Sequence, residues 1–512
     1  MNSNQLFQGI SLLSRPNEGL DIQRIQWDSR KVRPGDLFVA LVGHSVDGHD
    51  YIDQATANGA VALLVERTCE TDTPQFVVEN PRRAMALAAA NFYHHPSREL
   101  SIAMVTASNG KTTTNGLLAG ILEQAGKTVG IIGTVAVEYG DTTIPSILTT
   151  PESADLQRHL RSMVEAGVTH VCMEASSIGI ADHRIDGVEP VVVAINNITS
   201  EHLDIHKDFE TYLGLKKSLV QRLDPPAVGV YNLDVPEFRD LKDIAADHVT
   251  FSTDDPEADV SVKQLDLSTG RARFLVAVKK PIGLVPAGEY PFELSIPGFH
   301  SVANALSAMT MAMVMGIKME DIQQGLGKFQ GVERRFEFVF EKDFIIVDDH
   351  FANRGNIDVT LKTLEFMEFN HLHMIYAIRG NRGTITNRDN AEGIVEWYNK
   401  LPFASITATL SEGYTSKKDQ VSDEERQVFE DSLHAAGINY TLIETLEGAI
   451  ERGLSLVQPG DVLLLAGCQG MDFGALLALK QLEKAHPEWD KQELYAPLQD
   501  RVAGMVGRDY GE

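Results

Sequence analysis

The sequence predicts an α/β protein of three domains, and three observations support this fold class. The chain has 512 residues, which is more than one hydrophobic core organises, so two to four domains are expected. Short apolar segments typical of strands alternate with segments typical of helices along most of the chain. A Gly-Lys-Thr segment stands between one such strand and the next helix, as in parallel sheets that bind nucleotides.

The first domain is expected over residues 1–98, where the elements are small. "DLFVAL" and "VALLVE" have the pattern of strands, and "YIDQATANGA" between them has that of a helix. The alternation indicates an α/β unit.

The second and third domains are expected over 99–331 and 332–512. "SIAMV", "HVCMEAS" and "VVVAINN" predict strands and "SADLQRHLRSMVEAG" predicts a helix, while "FIIVDD", "HMIYAI", "SITATL" and "DVLLLAG" repeat the strand pattern later. Such alternation indicates parallel sheets covered on both faces. "VKQLDLSTGRARFLVAVKK" predicts an antiparallel excursion, and "SEGYTSKKDQVSDEER" predicts an exposed loop and a helix start.

Charge and cysteine content exclude several classes of protein. The chain has 45 Lys and Arg against 72 Asp and Glu, a net charge of −27, which disfavours a nucleic-acid partner. Cys69, Cys172 and Cys468 lack the spacing of a disulfide framework or a zinc site. Without a signal peptide or a long apolar run, we expect a cytoplasmic protein that is not inserted in a membrane, and we expect a monomer.

The segment "VTASNGKTTT" is a candidate phosphate loop. A standard P-loop has glycine six residues before its lysine, where this chain has Val105, so only a shorter form is present. That form consists of Asn109, Gly110, Lys111, Thr112 and Thr113. Lys111 would reach the β- and γ-phosphates of a nucleotide, and the Thr112 hydroxyl would bind Mg²⁺. The alternative is a Gly-Lys-Thr turn that begins a helix and binds no nucleotide.

The loop resembles the "TGTNGKTTT" loop of the Mur ligases, ATP-dependent enzymes that add amino acids to the cell-wall precursor. Ala107 and Ser108 stand where that loop has Gly-Thr, and Ala107 is tolerable only if its φ stays negative. "DSRKVRPGDLFVALVGHSVDGHDYIDQATANGAVALLVE" is similar to the UDP-sugar-binding domain of the MurE-type members. "LTTPESADLQ", "MEASS", "RIDG", "NNITSEHLDIH", "YLGLKKSL" and "IPGFHSVANALSA" follow in the family's order.

This resemblance implies the architecture and the metal site. It implies a central P-loop-type parallel sheet between an N-terminal UDP-binding-like domain and a C-terminal Rossmann-like domain. Glu174 and His202 occupy the positions at which the family holds magnesium, although each alone could be an ordinary strand-end or loop residue. Lys216 matches the lysine that reacts with CO2, as a neutral amine, to give a carbamate able to bridge to a second metal.

Other positions match residues that meet the nucleotide and the acceptor. Asn304 matches an asparagine near the adenine, Arg335 matches the arginine that opens the third domain, and Asp349 keeps that domain's aspartate. The residues expected to contact the acceptor substrate are Ser29, Thr149, Thr150, Ser176 and Arg184.

Several segments depart from the MurE pattern. "DYAHTP" becomes "DDHFANRGN", "GGDRD" becomes "RGNRGTITNR", and "GKGHE" becomes "GCQGMD". The "DNPR" segment that recognises diaminopimelate or lysine is absent. Near the acceptor, Leu148 replaces an asparagine and Ile178 a histidine.

The resemblance implies an ATP-dependent ligase that joins an amino acid to a UDP-MurNAc-peptide-like carboxylate through an acyl phosphate, with Mg²⁺ and carbamylated Lys216. One alternative is a ligase of the same fold acting on a specialised peptide or a polyamide of the cyanophycin kind, which the third-domain departures favour. A nucleotide-binding regulator without catalysis is the other; the joint presence of Lys111, Glu174, His202 and Lys216 opposes it.

Overall fold

The computed structural model describes residues 1–16, 19–43, 46–199, 208–243, 247–268, 271–329, 331, 333–499 and 501. The chain divides into two compact units. The first comprises Met1–Lys263, Leu275–Pro291 and Ala303–Phe329, and the second comprises Gln264–Phe274, Phe292–Val302 and Gln330–Glu512. The boundaries expected from the sequence, at 98/99 and 331/332, stay predictions.

A small parallel sheet lies at the start of the first unit. Its strands are, in sheet order, β1 (Arg24–Gln26), β2 (Asp36–Val39), β3 (Ala62–Val65) and β4 (Gln75–Val77). The helices of this region are α1 (Ser3–Leu6), α2 (Ile52–Ala57) and α3 (Pro81–Phe92). Every residue of β2 and β3 is buried, which explains why both segments are continuous apolar runs. The predicted strands and the helix between them are confirmed.

A larger sheet follows in the same unit. Its strands are β5 (Ser101–Thr106), β6 (Val129–Ile132), β7 (Ala136–Tyr139), β8 (Thr142–Pro145), β9 (His170–Glu174), β10 (Val192–Ile195), β11 (Val228–Asn232) and β12 (Asp247–Ser252). They lie in the order β12-β11-β10-β5-β9-β6-β7-β8, parallel except for the β6-β7-β8 hairpins. The helices are α4 (Lys111–Gln124), α5 (Ser153–Glu165), α6 (Ser177–Ala181) and α7 (Phe209–Gln221).

This order decides where a site forms. The carboxyl end of β5 lies between those of β9 and β10, although β9 and β10 follow much later in the chain. A crevice outside the carboxyl ends of parallel strands is where ligands bind in such sheets. Three loops therefore meet at one edge.

Three strands and two helices complete the middle of the chain: β13 (Val260–Asp266), β14 (Arg271–Val278), β15 (Gly288–Pro297), α8 (Phe299–Val314) and α9 (Met319–Lys328). β13 and β14 are the two strands that the polar-apolar alternation predicts. Short 3₁₀ helices lie at Ser29–Lys31, Gly48–Tyr51, Pro96–Glu99, Pro236–Asp243, Lys417–Asp419, Gln469–Met471 and Ala496–Leu498.

The second unit contains a third sheet. Its strands are β16 (Glu337–Glu341), β17 (Ile345–Asp349), β18 (Leu372–Ala377), β19 (Phe403–Glu412), β20 (Thr441–Thr445) and β21 (Val462–Ala466). Their order is β16-β17-β21-β18-β19-β20, with only the β16-β17 pair antiparallel. The helices are α10 (Arg354–Glu365), α11 (Gly383–Tyr398), α12 (Asp423–Ala435), α13 (Leu446–Leu456), α14 (Gly474–Ala485) and α15 (Lys491–Tyr495).

Two buried hydrophobic clusters include side chains of this sheet, together with side chains of its helices. All four strands predicted in this region are present. Within the described part of the chain, no helix is long and apolar enough to cross a membrane.

Candidate active site

The candidate phosphate loop connects β5 to α4. Gly110 is the residue before the helix, with a φ of +85°, and a Cβ there would lie 2.4 Å from Asn304 Oδ1. Only glycine combines this conformation with this close approach. Ala107 is fully buried and is not among the residues with positive φ, so the condition for its replacing glycine is met.

Two lysines converge on the loop. Lys111 Nζ donates hydrogen bonds to the carbonyl oxygens of Ala107 (2.8 Å) and Ser108 (3.0 Å). Lys216 reaches in from α7 with its side chain only 1% exposed, and its Nζ donates to the same Ala107 oxygen (2.8 Å) and to Thr106 Oγ1 (3.3 Å). Two lysine amino groups therefore share one acceptor beside the start of α4, where backbone N–H groups also attract anions.

A pair of asparagines that the sequence analysis did not single out holds the loop. Asn197 accepts from the Asn109 N–H (3.0 Å) and donates to the Asn109 carbonyl (2.8 Å). Asn196 donates to Thr114 Oγ1 (2.9 Å) and accepts from Ser307 Oγ (2.6 Å). Both follow β10 directly, so the "NN" after this buried strand is the sequence feature that could have identified them.

Asn304 lies against the same loop. Its side chain is 8% exposed, and its Oδ1 accepts from Thr114 Oγ1 at 3.3 Å. Asn304 thus lies beside the candidate phosphate loop, and its contact with the nucleotide stays a prediction.

Glu174 ends β9 at the same edge and is 1% exposed. Its carboxylate accepts from the Thr134 N–H (3.0 Å) and from Thr134 Oγ1 (3.0 Å). A Cβ on Gly133 would come within 2.3 Å of its Oε1, so a glycine is needed to admit the carboxylate. Each oxygen keeps a lone pair, which fits a magnesium ion that takes its other oxygens from phosphate and water.

The remaining predicted metal ligands are placed only in part. Thr112 is half-buried in the first turn of α4, and His202 lies outside the described residues. Among residues that the structure does describe, no group of three or more His, Cys, Asp or Glu side chains could hold a metal ion.

Three of the predicted acceptor contacts lie beside Glu174. Thr149 Oγ1 is 3.1 Å from Thr134 Oγ1. Thr150 Oγ1 donates to the Glu174 carbonyl (3.0 Å) and lies 3.1 Å from Ser176 Oγ. These hydroxyls form a polar ledge next to the carboxylate.

Arg184 adds a buried positive charge to this ledge. Its Nη1 donates to the Thr150 carbonyl (3.1 Å), and its Nη2 pairs with Asp182 (2.8 Å) and Glu152 (3.1 Å). Burial raises the pKa of Glu152 in spite of the arginines beside it. The Arg184 Nε is buried and has no hydrogen-bond partner within the described ranges, so it retains a donor that a substrate could use.

Ser29 belongs to a different place in the first unit. It starts the turn between β1 and β2, is 7% exposed, and donates from Oγ to Gln54 Oε1 at 2.7 Å. The hydrogen bonds seen for it do not join it to the Glu174 ledge.

Asp349 ends β17 in the second unit. Its side chain is 6% exposed and accepts from the Phe336 N–H (3.1 Å) and Thr360 Oγ1 (2.5 Å), and burial raises its pKa to about 6. Burial, with neighbouring guanidinium groups, lowers the pKa of the adjacent His350 to about 3, so this imidazole is neutral.

Arg335 and its neighbour differ in what they can do. Arg335 is exposed at the start of this region, so its guanidinium is accessible to a ligand. Arg334 is 3% exposed and forms ion pairs with Asp348 (3.3 Å) and Asp472, which fixes it inside the unit.

Family profiles match three stretches of the chain: "Mur ligase family, catalytic domain" over residues 21–95, "Mur ligase middle domain" over 105–312 and "Mur ligase, glutamate ligase domain" over 334–469. The chain is 32% identical over 458 residues to the UDP-N-acetylmuramoyl-L-alanyl-D-glutamate–2,6-diaminopimelate ligase of Geobacillus thermodenitrificans, covering 87% of this chain and 90% of that one. It is also 32% identical over 471 residues to the UDP-N-acetylmuramyl-tripeptide synthetase of Deinococcus radiodurans, covering 88% and 90%.

Solved structures share the fold. A UDP-N-acetylmuramoyl-L-alanyl-D-glutamate–2,6-diaminopimelate ligase superposes with a TM-score of 0.70 at 21% identity, covering 95% of this chain and 99% of that one. MurF ligase from Thermotoga maritima in complex with ADP gives 0.61 at 21% identity, covering 91% and 98%. The predicted three-domain α/β fold class is thus confirmed, and the chain belongs to the Mur ligase family of ATP-dependent carbon-nitrogen ligases.

Proposed function

We propose that this enzyme uses ATP to join an amino acid to the terminal carboxylate of a UDP-MurNAc-peptide-like acceptor. The observation that carries the proposal is the convergence of Lys111 and Lys216 on the Ala107 carbonyl at the carboxyl edge of the sheet. Phosphoryl transfer needs fixed positive charge around the phosphates and little covalent chemistry from the protein. Lys111, beside the helix start, supplies that positive charge, and Lys216 provides the second amino group at the same point, the one proposed to become the carbamate.

The reaction has two steps. The acceptor carboxylate attacks the γ-phosphorus of ATP, so an acyl phosphate forms and ADP leaves. The amine then attacks the acyl carbon, inorganic phosphate leaves with the bonding electron pair, and the amine loses its proton to give the amide. Holding carboxylate, phosphate and amine in reacting geometry is the main contribution expected of the protein.

Magnesium would neutralise phosphate charge, held by Glu174 with Thr112 and His202. A carbamate on Lys216 would bring negative oxygens to the same edge, and the ammonium of Lys111 beside it would balance that charge. We also propose Arg335 and Asp349 as contacts of the nucleotide.

The acceptor is assigned to the ledge of Thr149, Thr150 and Ser176, with Arg184 donating to an anionic group, and to Ser29 at the UDP end. We assign binding of the UDP end of the acceptor to a domain at 1–98 and binding of ATP to a domain at 99–331. The C-terminal ligase domain is assigned to 332–512. We also propose that the protein is a cytoplasmic monomer, which agrees with soluble small-molecule substrates. Gel filtration with light scattering would test the oligomeric state.

The test is ADP release by the purified protein across the twenty standard amino acids and diaminopimelate, with and without UDP-MurNAc-L-Ala-D-Glu. ADP release that needs both the acceptor and one amine, with the amide product seen by mass spectrometry, is the expected result. Release that is independent of both substrates would reject the proposal.

A second candidate is a ligase of this family for a specialised peptide outside peptidoglycan synthesis. Leu148 and Ile178, both half-buried beside the ledge, replace polar residues of the family pattern and favour it. Activity with a peptide carboxylate that carries no UDP would select this candidate.

A further inference from the structure

The Arg379–Gly383 turn follows β18 at the carboxyl edge of the sheet in the second unit. It leads into α11, whose first residues have no side-chain cap of their own, and Asn381 has a φ of +56°. A non-glycine residue in this conformation persists only where its surroundings hold it.

Glu425 of α12 provides that support. Its carboxylate accepts from the backbone N–H groups of Asn381 (3.2 Å), Arg382 (2.8 Å) and Gly383 (2.7 Å). It also accepts from the Ser422 N–H (3.0 Å) in the capping box of its own helix. Burial opposes the charge on this side chain, which is 4% exposed, but these N–H groups outweigh it and lower its pKa.

The two segments are also in backbone contact. A Cβ on Gly380 would lie 2.1 Å from the Asp419 carbonyl oxygen and 2.5 Å from that of Gln420. The turn and the segment before α12 are the regions in which the sequence departs from the "GGDRD" and "DNPR" patterns. The two segments that depart from the family pattern are therefore in direct contact with each other.

The turn places Arg379 over the end of the sheet. Asn387 holds the Arg379 backbone on both sides: its Oδ1 accepts from the Arg379 N–H (3.2 Å), and its Nδ2 donates to the Arg379 carbonyl (2.8 Å). The Arg379 guanidinium donates to the carbonyl of Ala352, which follows β17. In the sheet, β21 lies between β17 and β18, so the side chain crosses the end of β21. Its Nε is buried without a hydrogen-bond partner among residues the structure describes.

We propose that Glu425 is a positioning residue for the incoming amino acid: by fixing the Arg379–Gly383 turn it orients Arg379 to bind that substrate's carboxylate. The inference rests on the proposed ligase function. A guanidinium held over the strand ends can pair with a carboxylate, whereas the start of α11 cannot bind one because Glu425 already occupies its N–H groups.

The experiment compares three variants, using the amino acid that gives the highest turnover with UDP-MurNAc-L-Ala-D-Glu. Glu425→Gln should raise KM for that amino acid at least fivefold, with kcat and the KM values for ATP and acceptor changed less than twofold. Ser422→Ala removes the cap of α12 but leaves the turn bonded, so it should lower Tm without changing the amino-acid KM. Glu424→Gln, an exposed neighbour, should change neither.

An unchanged amino-acid KM in Glu425→Gln, with the unsubstituted enzyme active, would overturn this inference alone. A rise in Ser422→Ala equal to that in Glu425→Gln would also overturn it, because helix capping would then be sufficient. If Glu425→Gln does not fold, Glu425→Asp, which keeps the charge one methylene shorter, must show the selective rise. An unsubstituted enzyme that ligates no amine overturns the proposed function and this inference with it.

Discussion

Substituting alanine at Gly110 tests the nucleotide loop most directly. The residue has a φ of +85°, and the added methyl group would lie 2.4 Å from Asn304 Oδ1. A left-handed conformation costs an alanine about 1–2 kcal/mol. Relieving the contact requires the buried Asn304 to turn away and lose its hydrogen bond from Thr114, which costs about 1 kcal/mol more.

We therefore expect Gly110→Ala to lower the free energy of unfolding by about 2–3 kcal/mol. The start of α4 must also shift. Losing one N–H bond to a charged phosphate costs about 1.5–3 kcal/mol, so KM for ATP should rise about tenfold or more. Urea unfolding measures the first effect, and ADP release at varied ATP measures the second.

Gly126→Ala is the matched control at the other end of α4. Gly126 also has a positive φ, +73°, but nothing lies within 4 Å of an added Cβ. This variant should lose about 1–2 kcal/mol of stability and keep its KM for ATP. The reasoning is refuted if Gly110→Ala binds ATP as well as Gly126→Ala does.

Four further predictions concern charge. Lys111→Ala should lower ADP release at least a hundredfold and still fold, with a thermal melt as the control, whereas Lys127→Ala beyond the other end of α4 should keep its ADP release; near-normal turnover of Lys111→Ala would remove the loop from the mechanism. Lys216→Ala should be inactive and partly rescued by a small carboxylic acid, with Lys217→Ala as its active control; full activity without the acid would reject the carbamate. The raised pKa of Asp349 means that the folded protein holds this proton more tightly than the unfolded chain, so its contribution to stability is present below pH 4 and is lost as pH rises to about 6. The shift from 3.8 to about 6 corresponds to about 3 kcal/mol in full, so the unfolding free energy of the unsubstituted protein relative to Asp349→Asn should fall by about 2 kcal/mol or slightly more between pH 4 and 7, and a constant difference would contradict this. Diaminopimelate and lysine should be poor substrates by kcat/KM, because the arginine-bearing segment that recognises them is absent; efficient use of either would contradict our interpretation of the third domain.

Local pattern was enough to predict the strands and to single out the candidate phosphate loop. β5, β9 and β10 are continuous apolar runs because helices cover both faces of their sheet, and such runs are visible in any window of the sequence. The Gly-Lys-Thr order also singled out Gly110, and the positive φ of this residue is the reason that a glycine stands there.

The contacts that assemble the site could not be predicted in this way. Lys216 and Ala107 are 109 positions apart, and their hydrogen bond depends on how α7 packs beside β10. Asn197 and Asn109 are 88 positions apart and meet because β10 lies next to β5. Sequence order contains no such adjacency, so only the resemblance pointed to Lys216, and the "NN" after a buried strand did not show what Asn197 contacts.

The coupling through Glu425 bears on how amine specificity changes in this family. The Arg379–Gly383 turn contacts the backbone of the segment before α12 at Gly380, and it donates hydrogen bonds to Glu425 in α12 itself. A shift of one of these segments therefore requires a shift of the other. An arginine introduced into the segment after β19 would meet a turn whose shape Glu425 has already fixed. With the amino-acid site assigned as proposed, a change of amine would require substitutions in both segments, which are two of the segments in which this chain departs from the family pattern.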